Sequence, residues 1–236
     1  MSLKKILKEL NKKVAKQYAG TRAYWMRSPA GISLLNSTEY ALEKYTDGGD
    51  FLDAGAGKLA YRSLLQEHGD TYTSSDFQKV HKDLDVVTDI EKMSFKSKKF
   101  DVVFCSQVLE HVPHPWHAMG EIYRVLKPSG TAIITVPMLG YIHNAPYDFY
   151  RYTRYGLQML AEDAGFTVLE ITPIGGFFAF LGYVFATVIS PLYGIPVIGK
   201  LLVPLLYPLY WVLLQLDRMT KNESLFPLNY LLVVKK

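Results

Sequence analysis

The stretch that decides the fold is Asp50-Phe51-Leu52-Asp53-Ala54-Gly55-Ala56-Gly57-Lys58, a short apolar run that ends in an acid and leads into two glycines. A helical pattern over residues 58–68 follows it directly. Because glycine has no Cβ, such a turn can adopt positive φ and let a ligand approach the backbone, and the start of a helix offers free N–H groups. The stretch therefore predicts a buried parallel strand, a tight turn and a helix, which either bind a ligand or simply connect two elements.

The composition favours one well-packed domain. The chain has 236 residues, of which 49% are hydrophobic, and a chain of this length can bury a sizeable single core. Its one cysteine, Cys105, excludes an internal disulfide, which favours a reducing compartment. Lysines interrupt the N-terminus where the apolar region of a signal peptide would lie, so we predict a cytoplasmic protein.

The positive charge is concentrated at the N-terminus. Of the net charge of +4, residues 1–16 contribute +5 through six lysines and Glu9, which leaves −1 for the rest of the chain. A near-neutral domain of this kind is not a general nucleic-acid binder, and no nucleic-acid partner is predicted. Apolar residues at 3, 6, 7, 10 and 14 fall at helical spacing. They predict an amphipathic helix that either packs on the domain or lies on an anionic membrane surface.

Strands alternate with helices along most of the chain. Strands are predicted at residues 51–53, 71–75, 85–88, 100–105, 131–136, 166–172 and 229–235, and helices at residues 58–68, 115–126 and 153–164. This alternation predicts an α/β fold with a doubly wound parallel sheet. The predicted divisions are a helical lead-in (1–45), a core (46–175), an apolar helical insertion (176–220) and a final strand of the core sheet (221–236).

Three acids are predicted at the carboxyl ends of strands. Asp53 ends the first strand, Asp76 ends the second 19 residues after Gly57, and Asp89 follows the third. Asp76 can accept hydrogen bonds from both hydroxyls of a ribose, or it can cap a helix. Three carboxylates at this edge create negative potential, which suits a cation such as a sulfonium. Nicotinamide binding is the alternative, because the glycine turn fits the loose dinucleotide pattern, although Asp53 would repel a pyrophosphate.

Two further motifs complete an ordered set. The segment Phe100-Asp101-Val102-Val103-Phe104-Cys105-Ser106-Gln107-Val108-Leu109-Glu110-His111 indicates a central strand and its loop, and Leu126-Lys127-Pro128-Ser129-Gly130 indicates a turn. With the glycine turn and the acids, the set resembles the class I S-adenosylmethionine-dependent methyltransferases, and within them the type 11 methyltransferase domain, over residues 45–175. The resemblance implies a Rossmann-like, doubly wound seven-stranded sheet, whose antiparallel last strand lies between strands five and six. It also implies S-adenosylmethionine as the cofactor.

The resemblance places the cofactor-binding residues at the carboxyl ends of four strands. They are Asp53, Gly55, Gly57, Asp76, Asp89, Ile90, Ser106 and Gln107. Asp53, Gly55 and Gly57 would line the methionine part of the cofactor. Asp76 would accept hydrogen bonds from the ribose hydroxyls, and Asp89 and Ile90 would bind the adenine. Ser106 and Gln107 would lie beneath the sulfonium. Two positions depart from the family pattern, because Leu59 replaces a frequent third glycine and Ser75 makes the end of the second strand more polar.

The loop after the fifth strand resembles a segment of some bacterial type 11 methyltransferases. It runs His143-Asn144-Ala145-Pro146-Tyr147-Asp148-Phe149-Tyr150-Arg151-Tyr152-Thr153 and in this fold borders the acceptor pocket. His143 is predicted to act as a general base, and Asp148 to orient it or act in its place. The predicted substrate-binding residues are His111, Tyr147, Tyr150 and Arg151. The alternative is a rigid loop in which Asp148 and Arg151 form a structural ion pair, Thr153 caps a helix and His111 packs beneath the cofactor loop.

A long apolar segment precedes the last strand. Between residues 174 and 216 the only charge is Lys200, and prolines at 191, 196, 204 and 208 are predicted to break segments 177–199 and 201–216. The resemblance places both flanking strands in one sheet, which excludes a single membrane span. Two spans, a re-entrant or surface-lying hairpin, or a cap over the site remain. We predict a hairpin that dips into the membrane or covers an apolar acceptor. A homo-oligomer interface is the alternative, because so large an apolar patch does not stay bare.

Two functions are compatible with these observations. The first is methyl transfer from S-adenosylmethionine to a small or lipid-linked acceptor through an oxygen or nitrogen nucleophile, by a protein that is cytoplasmic or peripheral on the inner face of the membrane. The second is a catalytically silent cofactor-binding module that serves as a membrane-associated assembly partner. The sequence shows no metal-ligand spacing, Walker loop or nucleophile elbow, so no metal is predicted.

Overall fold

The computed structural model describes residue 6 and residues 9–10, 13–14 and 21–236. Its chain forms two compact units. The sheet unit comprises Ser37–Pro173 and Asn229–Lys236, and the hairpin unit comprises the described residues up to Asn36 together with Ile174–Leu228.

The sheet unit is built on seven strands in the order β3-β2-β1-β4-β5-β7-β6. Their bounds are β1 Asp50–Ala54, β2 Thr71–Asp76, β3 Val86–Val87, β4 Phe100–Ser106, β5 Leu126–Pro137, β6 Thr167–Ile174 and β7 Asn229–Lys235. The pairs β1–β2, β1–β4, β2–β3 and β4–β5 are parallel, whereas β7 pairs with β5 in the antiparallel direction. This order confirms the predicted seven-stranded, doubly wound α/β sheet with its antiparallel last strand between strands five and six.

The sheet is buried at its centre, as its apolar runs predict. Leu52 of β1, Val103 and Phe104 of β4, and Ile133 and Ile134 of β5 have no exposed surface. Central parallel strands are covered on both faces and so read as continuous apolar runs rather than as alternating ones. This rigid centre fixes the carboxyl ends of β1, β2 and β4, where the candidate site lies.

Helices connect the strands. In chain order they are α1 Arg22–Trp25, α2 Pro29–Tyr45, α3 Arg62–His68, α4 Pro115–Val125, α5 Arg154–Asp163, α6 Phe177–Ile189 and α7 Pro196–Thr220, with short 3-10 turns at Leu109–His111, Ser190–Gly194 and Asn222–Ser224. Helix α4 begins at Pro115, as predicted, because a proline in the first turn lacks only an N–H that has no partner there. Thr153 caps α5 by accepting a hydrogen bond from the Gly156 N–H.

Two element boundaries differ from the prediction by four residues or more. Helix α3 begins at Arg62 rather than at Lys58, because Leu59 has a φ of 59° and the preceding residues form a turn. A left-handed residue cannot belong to an α-helix, so the helix starts one turn later. The second difference is in β5, which begins at Leu126 rather than at Thr131. Its pairing with β4 shifts register between Phe100 and Val102, so the predicted turn at residues 127–130 lies within the strand as a bulge.

The hairpin unit carries the apolar insertion as two helices. The prediction that four prolines break both segments is wrong for Pro204 and Pro208, which lie inside the 25-residue helix α7. Both lie on its exposed face, so the carbonyls that they leave without a helical partner are not enclosed in the core. The insertion leaves and returns at one point, where the Leu228 N–H donates to the Gly175 carbonyl over 3.0 Å.

A buried carboxylate fixes the base of this hairpin. Asp217 of α7 has no exposed surface and accepts hydrogen bonds from the N–H groups of Gly176, Phe178 and Ala179 over 2.8–2.9 Å. The side-chain oxygen of Asn222 accepts a hydrogen bond from the Phe177 N–H over 2.8 Å. The first turn of α6 has N–H groups without helical partners, and α7 supplies the acceptors. The two helices are therefore joined by buried polar contacts as well as by apolar packing.

The other end of the hairpin packs against the N-terminal segment. Val14, Tyr193 and Val203 form a buried apolar cluster within the hairpin unit. The amphipathic helix predicted over residues 3–14 lies largely outside the described residues, but those of its positions that are described are helical. Val14 is buried in this cluster, which matches the prediction that the helix packs on the protein rather than exposing this apolar residue to a membrane.

Candidate cofactor and acceptor site

The glycine turn follows β1 in the chain and is hydrogen-bonded to the end of β2. Gly55 and Gly57 have φ angles of 82° and 52°, which glycine adopts without steric cost. The N–H groups of Gly55 and Ala56 donate to the Ser75 carbonyl over 2.8 and 2.9 Å. A Cβ on Gly55 would lie 2.3 Å from Val108, whereas one on Gly57 would meet no atom within 4 Å. Gly55 is thus required by packing, and Gly57 leaves its backbone open to a ligand.

Asp76 lies beside this open backbone. One oxygen of its carboxylate accepts the Gly57 N–H over 3.0 Å, and the other accepts the Gln78 N–H over 3.2 Å. These two bonds hold the carboxylate at the end of β2 without neutralising it. An acid in this position can accept hydrogen bonds from ribose hydroxyls. The helix-capping alternative is not what the structure has, because residues 77–85, which follow β2, form bends and turns rather than a helix.

A cavity of about 830 Å³ opens beside the turn, and its volume lies within the range of cofactor sites. Its walls include six of the eight residues predicted to bind the cofactor: Gly55, Gly57, Asp76, Asp89, Ile90 and Gln107. Glu91 adds a third acid, and no lysine or arginine is among the described residues that line it. Such walls suit hydroxyl, amino and sulfonium groups and oppose a pyrophosphate. The residues therefore fit S-adenosylmethionine better than a dinucleotide.

Asp53 and Ser106 lie behind the cavity wall rather than on it. Asp53 is buried, and its carboxylate accepts a hydrogen bond from the Tyr72 hydroxyl over 3.0 Å. Burial raises the pKa of Asp53 from 3.8 to about 7, against the lowering effect of Tyr72. Ser106 shares hydrogen bonds with the hydroxyls of Thr135 and Tyr61. These contacts place the two residues so that they shape the strand ends, with Asp53 as a negative group beneath the turn when ionised.

The raised pKa of Asp53 predicts a pH-dependent stability. Below pH 4 the carboxyl is protonated in both states, but between pH 4 and 7 the unfolded chain ionises while the folded one retains its proton, so stability falls as pH rises. The loss by pH 8 is about 4 kcal/mol at most. Asp53→Asn should therefore be more stable than the natural protein at pH 8, with little difference at pH 4. Urea unfolding at both pH values, with Asp83→Asn as an exposed control, tests this. Identical pH profiles for Asp53→Asn and the natural protein would contradict it.

The loop after β5 is held by an ion pair. The Asp148 carboxylate, only 2% exposed, accepts hydrogen bonds from both terminal nitrogens of Arg151 over 2.6 and 2.9 Å and from the His143 N–H over 2.8 Å. Arg151 holds the pKa of Asp148 well below its usual range. Asp148 is therefore an anion with occupied oxygens, which suits positioning rather than proton transfer. The geometry matches the structural ion pair that the sequence left as an alternative, together with the Thr153 cap.

The loop docks on the 3-10 turn that follows β4. The N–H groups of Phe149 and Tyr150 donate to the Glu110 carbonyl, and Nδ1 of His111 lies 2.5 Å from the Tyr147 carbonyl. The hydroxyl of Tyr150 donates to the Pro113 carbonyl. Of the predicted catalytic and substrate-binding residues, only His111 and Tyr147 line the cavity. His143 is adjacent, with its ring centroid 4.7 Å from that of His111.

Glu110 lies beside the candidate site and was not predicted from the sequence. Its side chain is buried between the turn and the loop, next to His111 and His143, and burial raises its pKa to about 8. Burial also lowers the pKa of His111. The signal in the sequence is an acid inside the otherwise apolar run Val108-Leu109-Glu110-His111-Val112. The cavity wall also includes Thr88, Asn144 and other residues without a recognisable motif.

Comparison with known proteins agrees with this geometry. A family model described as "Methyltransferase domain" matches residues 52–134, which span the strands β1 to β5 and the glycine turn. These residues form a methyltransferase domain of the type 11 family. S-adenosylmethionine is the cofactor of this family, and the recognition made from the ordered motifs is confirmed.

The relatives by sequence are distant. An uncharacterized protein of Methanocaldococcus jannaschii is 33% identical over 111 residues, an alignment that covers 44% of this chain and 46% of that one. The chain thus spans about half the length of that relative. A ubiquinone biosynthesis O-methyltransferase of Coxiella burnetii is 26% identical over 184 residues, covering 62% of this chain and 79% of that protein.

Solved structures share the methyltransferase fold. A SAM-dependent methyltransferase from Archaeoglobus fulgidus has a TM-score of 0.58 and 18% identity, and the match covers 86% of this chain and 93% of that one. A phosphoethanolamine N-methyltransferase of Haemonchus contortus, solved with S-adenosylmethionine, has a TM-score of 0.58 and 16% identity, covering 85% and 52%. A protein described as a cyclase has a TM-score of 0.60, with 17% identity and coverage of 85% and 80%. The fold alone therefore does not specify the reaction.

Proposed function

We propose that this methyltransferase transfers the methyl group to an oxygen or nitrogen nucleophile of a small or lipid-linked acceptor. The proposal rests on one observation: a single cavity is lined both by the glycine turn with its neighbouring acids and by His111 and Tyr147. When bound, S-adenosylmethionine supplies an electrophilic methyl group: attack by the acceptor breaks the S–CH3 bond, forms the new bond to carbon and leaves S-adenosylhomocysteine.

The cofactor half of the site would be held by the strand ends. Asp76 would accept hydrogen bonds from the ribose hydroxyls, because its carboxylate already lies at the cavity wall beside Gly57. Asp89 and Ile90 would bind the adenine, and Gln107 would lie near the reacting centre. Asp53, behind the wall, would balance the positive charge of the methionine part. Each role follows from position at the carboxyl edge of the sheet.

The acceptor half would use the loop after β5. Methyl transfer is a displacement that needs alignment of the nucleophile, and positioning alone can supply much of the rate. His143, next to His111 and held by Asp148 through its backbone N–H, would take the proton of a hydroxyl or amine acceptor. The relative from Coxiella burnetii is named an O-methyltransferase, which supports testing oxygen nucleophiles first.

His143→Ala should separate catalysis from cofactor binding. Loss of a general base typically costs about 10²–10⁴ in rate, so turnover of an identified acceptor should fall within that range. Cofactor affinity should stay unchanged, because His143 does not line the cavity. The measurement is steady-state turnover beside calorimetric binding of S-adenosylhomocysteine, with His117→Ala as the control. Unchanged turnover would contradict the role of His143. If every acceptor remained inert while the cofactor bound, the silent assembly module would be favoured.

We also propose that the hairpin unit binds the surface of a membrane, which is where a lipid-linked acceptor would lie. By length and composition, Phe177–Gly194 and Val197–Thr220 could each cross a bilayer, yet only 28% and 22% of their most apolar windows are buried in the structure. In α7, Val197, Leu201, Leu205 and Leu209 recur every four residues and are all exposed. A stripe of this kind covers one face of a helix, and apolar surface this extensive marks an interaction site.

A surface-lying hairpin fits better than two spans. The turn at Ser190–Gly194 is packed against the N-terminal segment, where Lys13 is exposed, and the Arg27 carbonyl lies 3.3 Å from the Tyr193 hydroxyl. Lys200 is also exposed near this end of α7. Two membrane spans would carry Lys13 and Lys200 across the hydrocarbon of the bilayer, which is costly. At the membrane surface both lysines would instead face anionic headgroups. The protein would then be cytoplasmic and peripheral on the inner face of the membrane.

Leu205→Glu should weaken membrane binding. The side chain is 71% exposed at the centre of the apolar stripe, so the substitution removes apolar contact and adds repulsion from anionic lipid without disturbing packing. We expect a strong loss of co-sedimentation with phosphatidylcholine vesicles that contain phosphatidylglycerol. Met159→Glu, at a position that is 62% exposed on α5 of the sheet unit, is the matched control and should bind as the natural protein does. Equal sedimentation of both variants would contradict the proposal. Concentration-dependent dimers without vesicle binding would favour the homo-oligomer interface instead.

A further inference from the structure

We propose that Glu110, His111 and His143 bind a divalent transition-metal ion, for which Zn²⁺ is the probe. Each residue offers one ligand atom, and the three atoms lie within 4.8 Å of one another. All three residues belong to the sheet unit, and His111 also lines the cavity. Residues 110–111 and 143 come from two different loops, so their spacing in the sequence gave no metal-binding motif.

The buried carboxylate of Glu110 is the first observation that indicates a ligand. Its side chain has no exposed surface, yet among the described residues neither carboxylate oxygen has a hydrogen-bond partner. Buried polar side chains in native proteins are nearly always hydrogen-bonded, because an unmatched carboxylate in the interior is costly. The two oxygens of Glu110 are therefore not occupied by hydrogen bonds from the described residues and can coordinate a cation.

The orientation of His111 is the second observation. Its Nδ1 lies 2.5 Å from the Tyr147 carbonyl, and a carbonyl only accepts, so Nδ1 carries the proton and Nε2 presents a lone pair. Asn144 Nδ2, at 3.4 Å, is a donor on that same side. An Nδ1–H bond to a backbone carbonyl is the arrangement that orients metal-binding histidines.

The spacing between Glu110 and His111 suits one ion. His111 Nε2 lies 3.7 Å from Glu110 Oε1, which is too long for a hydrogen bond. Two ligands of a tetrahedral zinc ion lie about 3.4 Å apart, given metal–ligand distances near 2.1 Å. A closure of a few tenths of an ångström would therefore bring both atoms into coordination.

The composition of the cluster selects the class of ion. Two imidazoles and one carboxylate favour a transition metal over Mg²⁺, and such a set leaves one position open in catalytic zinc sites. The second His/Glu group, Glu91 with His114 and His117, lies on the surface, and Glu91 already pairs with His114 over 3.0 Å.

The consequence for catalysis rests on the proposed methyl transfer. The open position would hold the hydroxyl oxygen of an acceptor and lower the pKa of that hydroxyl. Its proton would pass to water, the O–CH3 bond would form and the S–CH3 bond would break. His143 would then be a ligand and not the proton acceptor, so chelation would lower the turnover of the natural enzyme as strongly as His143→Ala does.

Metal binding can be tested without any acceptor. The full chain, stripped with a chelator, would be titrated with Zn²⁺ in competition with a chromophoric chelator. We expect one tight equivalent in the natural protein, and at least about 100-fold weaker binding in Glu110→Gln and His143→Ala, since losing only an outer-shell partner costs 10–100-fold. His143 lies in a partly exposed loop, so its variant remains informative if Glu110→Gln fails to fold. His117→Ala is the matched control and should bind Zn²⁺ unchanged.

Each outcome decides the proposal. Zinc affinity of the natural protein no higher than that of Glu110→Gln and His143→Ala would overturn it, as would loss of the tight site in His117→Ala, which would assign the metal to the surface group. Binding of S-adenosylhomocysteine is measured separately on the same samples. If zinc binds tightly but S-adenosylhomocysteine does not bind, the metal site is supported and the proposed methyl transfer is contradicted. If S-adenosylhomocysteine binds but zinc does not bind tightly, only the metal site is contradicted.

Discussion

Asp76→Ala should reduce the affinity for S-adenosylhomocysteine by about 10²–10⁴, because hydrogen bonds to a charged group contribute about 1.5–3 kcal/mol each and a ribose offers two. The substitution also removes the acceptor of the Gly57 N–H, so the open backbone of the turn loses its support. Calorimetric titration of the variant measures the loss directly.

The sequence offers a matched control for this variant. Asp70 precedes β2 at the opposite end of the strand, and its carboxylate accepts the Gly49 N–H over 2.9 Å in the same manner. Asp70→Ala therefore removes a carboxylate and one backbone contact from the same strand without touching the cavity. Its cofactor affinity should equal that of the natural protein. Equal affinity of Asp76→Ala and Asp70→Ala would contradict the assignment of the ribose to Asp76.

Asp217→Ala should destabilise the hairpin unit by about 3 kcal/mol or more, since it leaves three N–H groups without an acceptor, two of them buried and one partly buried, at about 1–3 kcal/mol each. Asp217 is fully buried and accepts all three bonds. Denaturant unfolding measures the loss, and limited proteolysis should show cleavage within residues 174–228 before the sheet unit is cut.

Asn222→Ala is the control for the second prediction. Asn222 accepts a single N–H at the exposed margin of the same helix start, so its loss should cost about 1 kcal/mol, as for other helix caps. A free-energy loss for Asp217→Ala no larger than that for Asn222→Ala would show that the buried carboxylate does not hold the hairpin together.

The fold was predictable where the chemistry is local. Six of the seven strands lie within two residues of their predicted bounds, because buried parallel strands are continuous apolar runs between turn residues. The glycine turn and the acids at the strand ends were predictable for the same reason, since a short segment contains both the strand and the residue that ends it. The exception is β5, whose bulge depends on pairing with β4.

The insertion shows what local patterns cannot supply. Pro204 and Pro208 suggested helix breaks, but α7 continues through both. Whether a helix tolerates proline depends on which face the ring occupies and what packs on the other, and those are tertiary facts. Asp217 was equally unremarkable in the sequence, yet it receives the N-terminus of a helix about forty residues away in the chain.

The acceptor side of the site was the least predictable part. The sequence left open whether Asp148 acts with His143 or forms an ion pair with Arg151, and the structure shows the ion pair. It also brings His143, from the loop after β5, to Glu110 and His111 in the turn after β4. The absence of a metal motif in the sequence reflects that separation, because ligands from different loops have no fixed spacing.

The most direct test of the central claim is calorimetric titration of the purified protein with S-adenosylhomocysteine, with NAD as the comparison. The account predicts saturable binding of S-adenosylhomocysteine with a dissociation constant on the order of micromolar and no binding of NAD, since the acids that line the cavity oppose a pyrophosphate. Binding of NAD without S-adenosylhomocysteine, or binding of neither in the presence of vesicles, would contradict it.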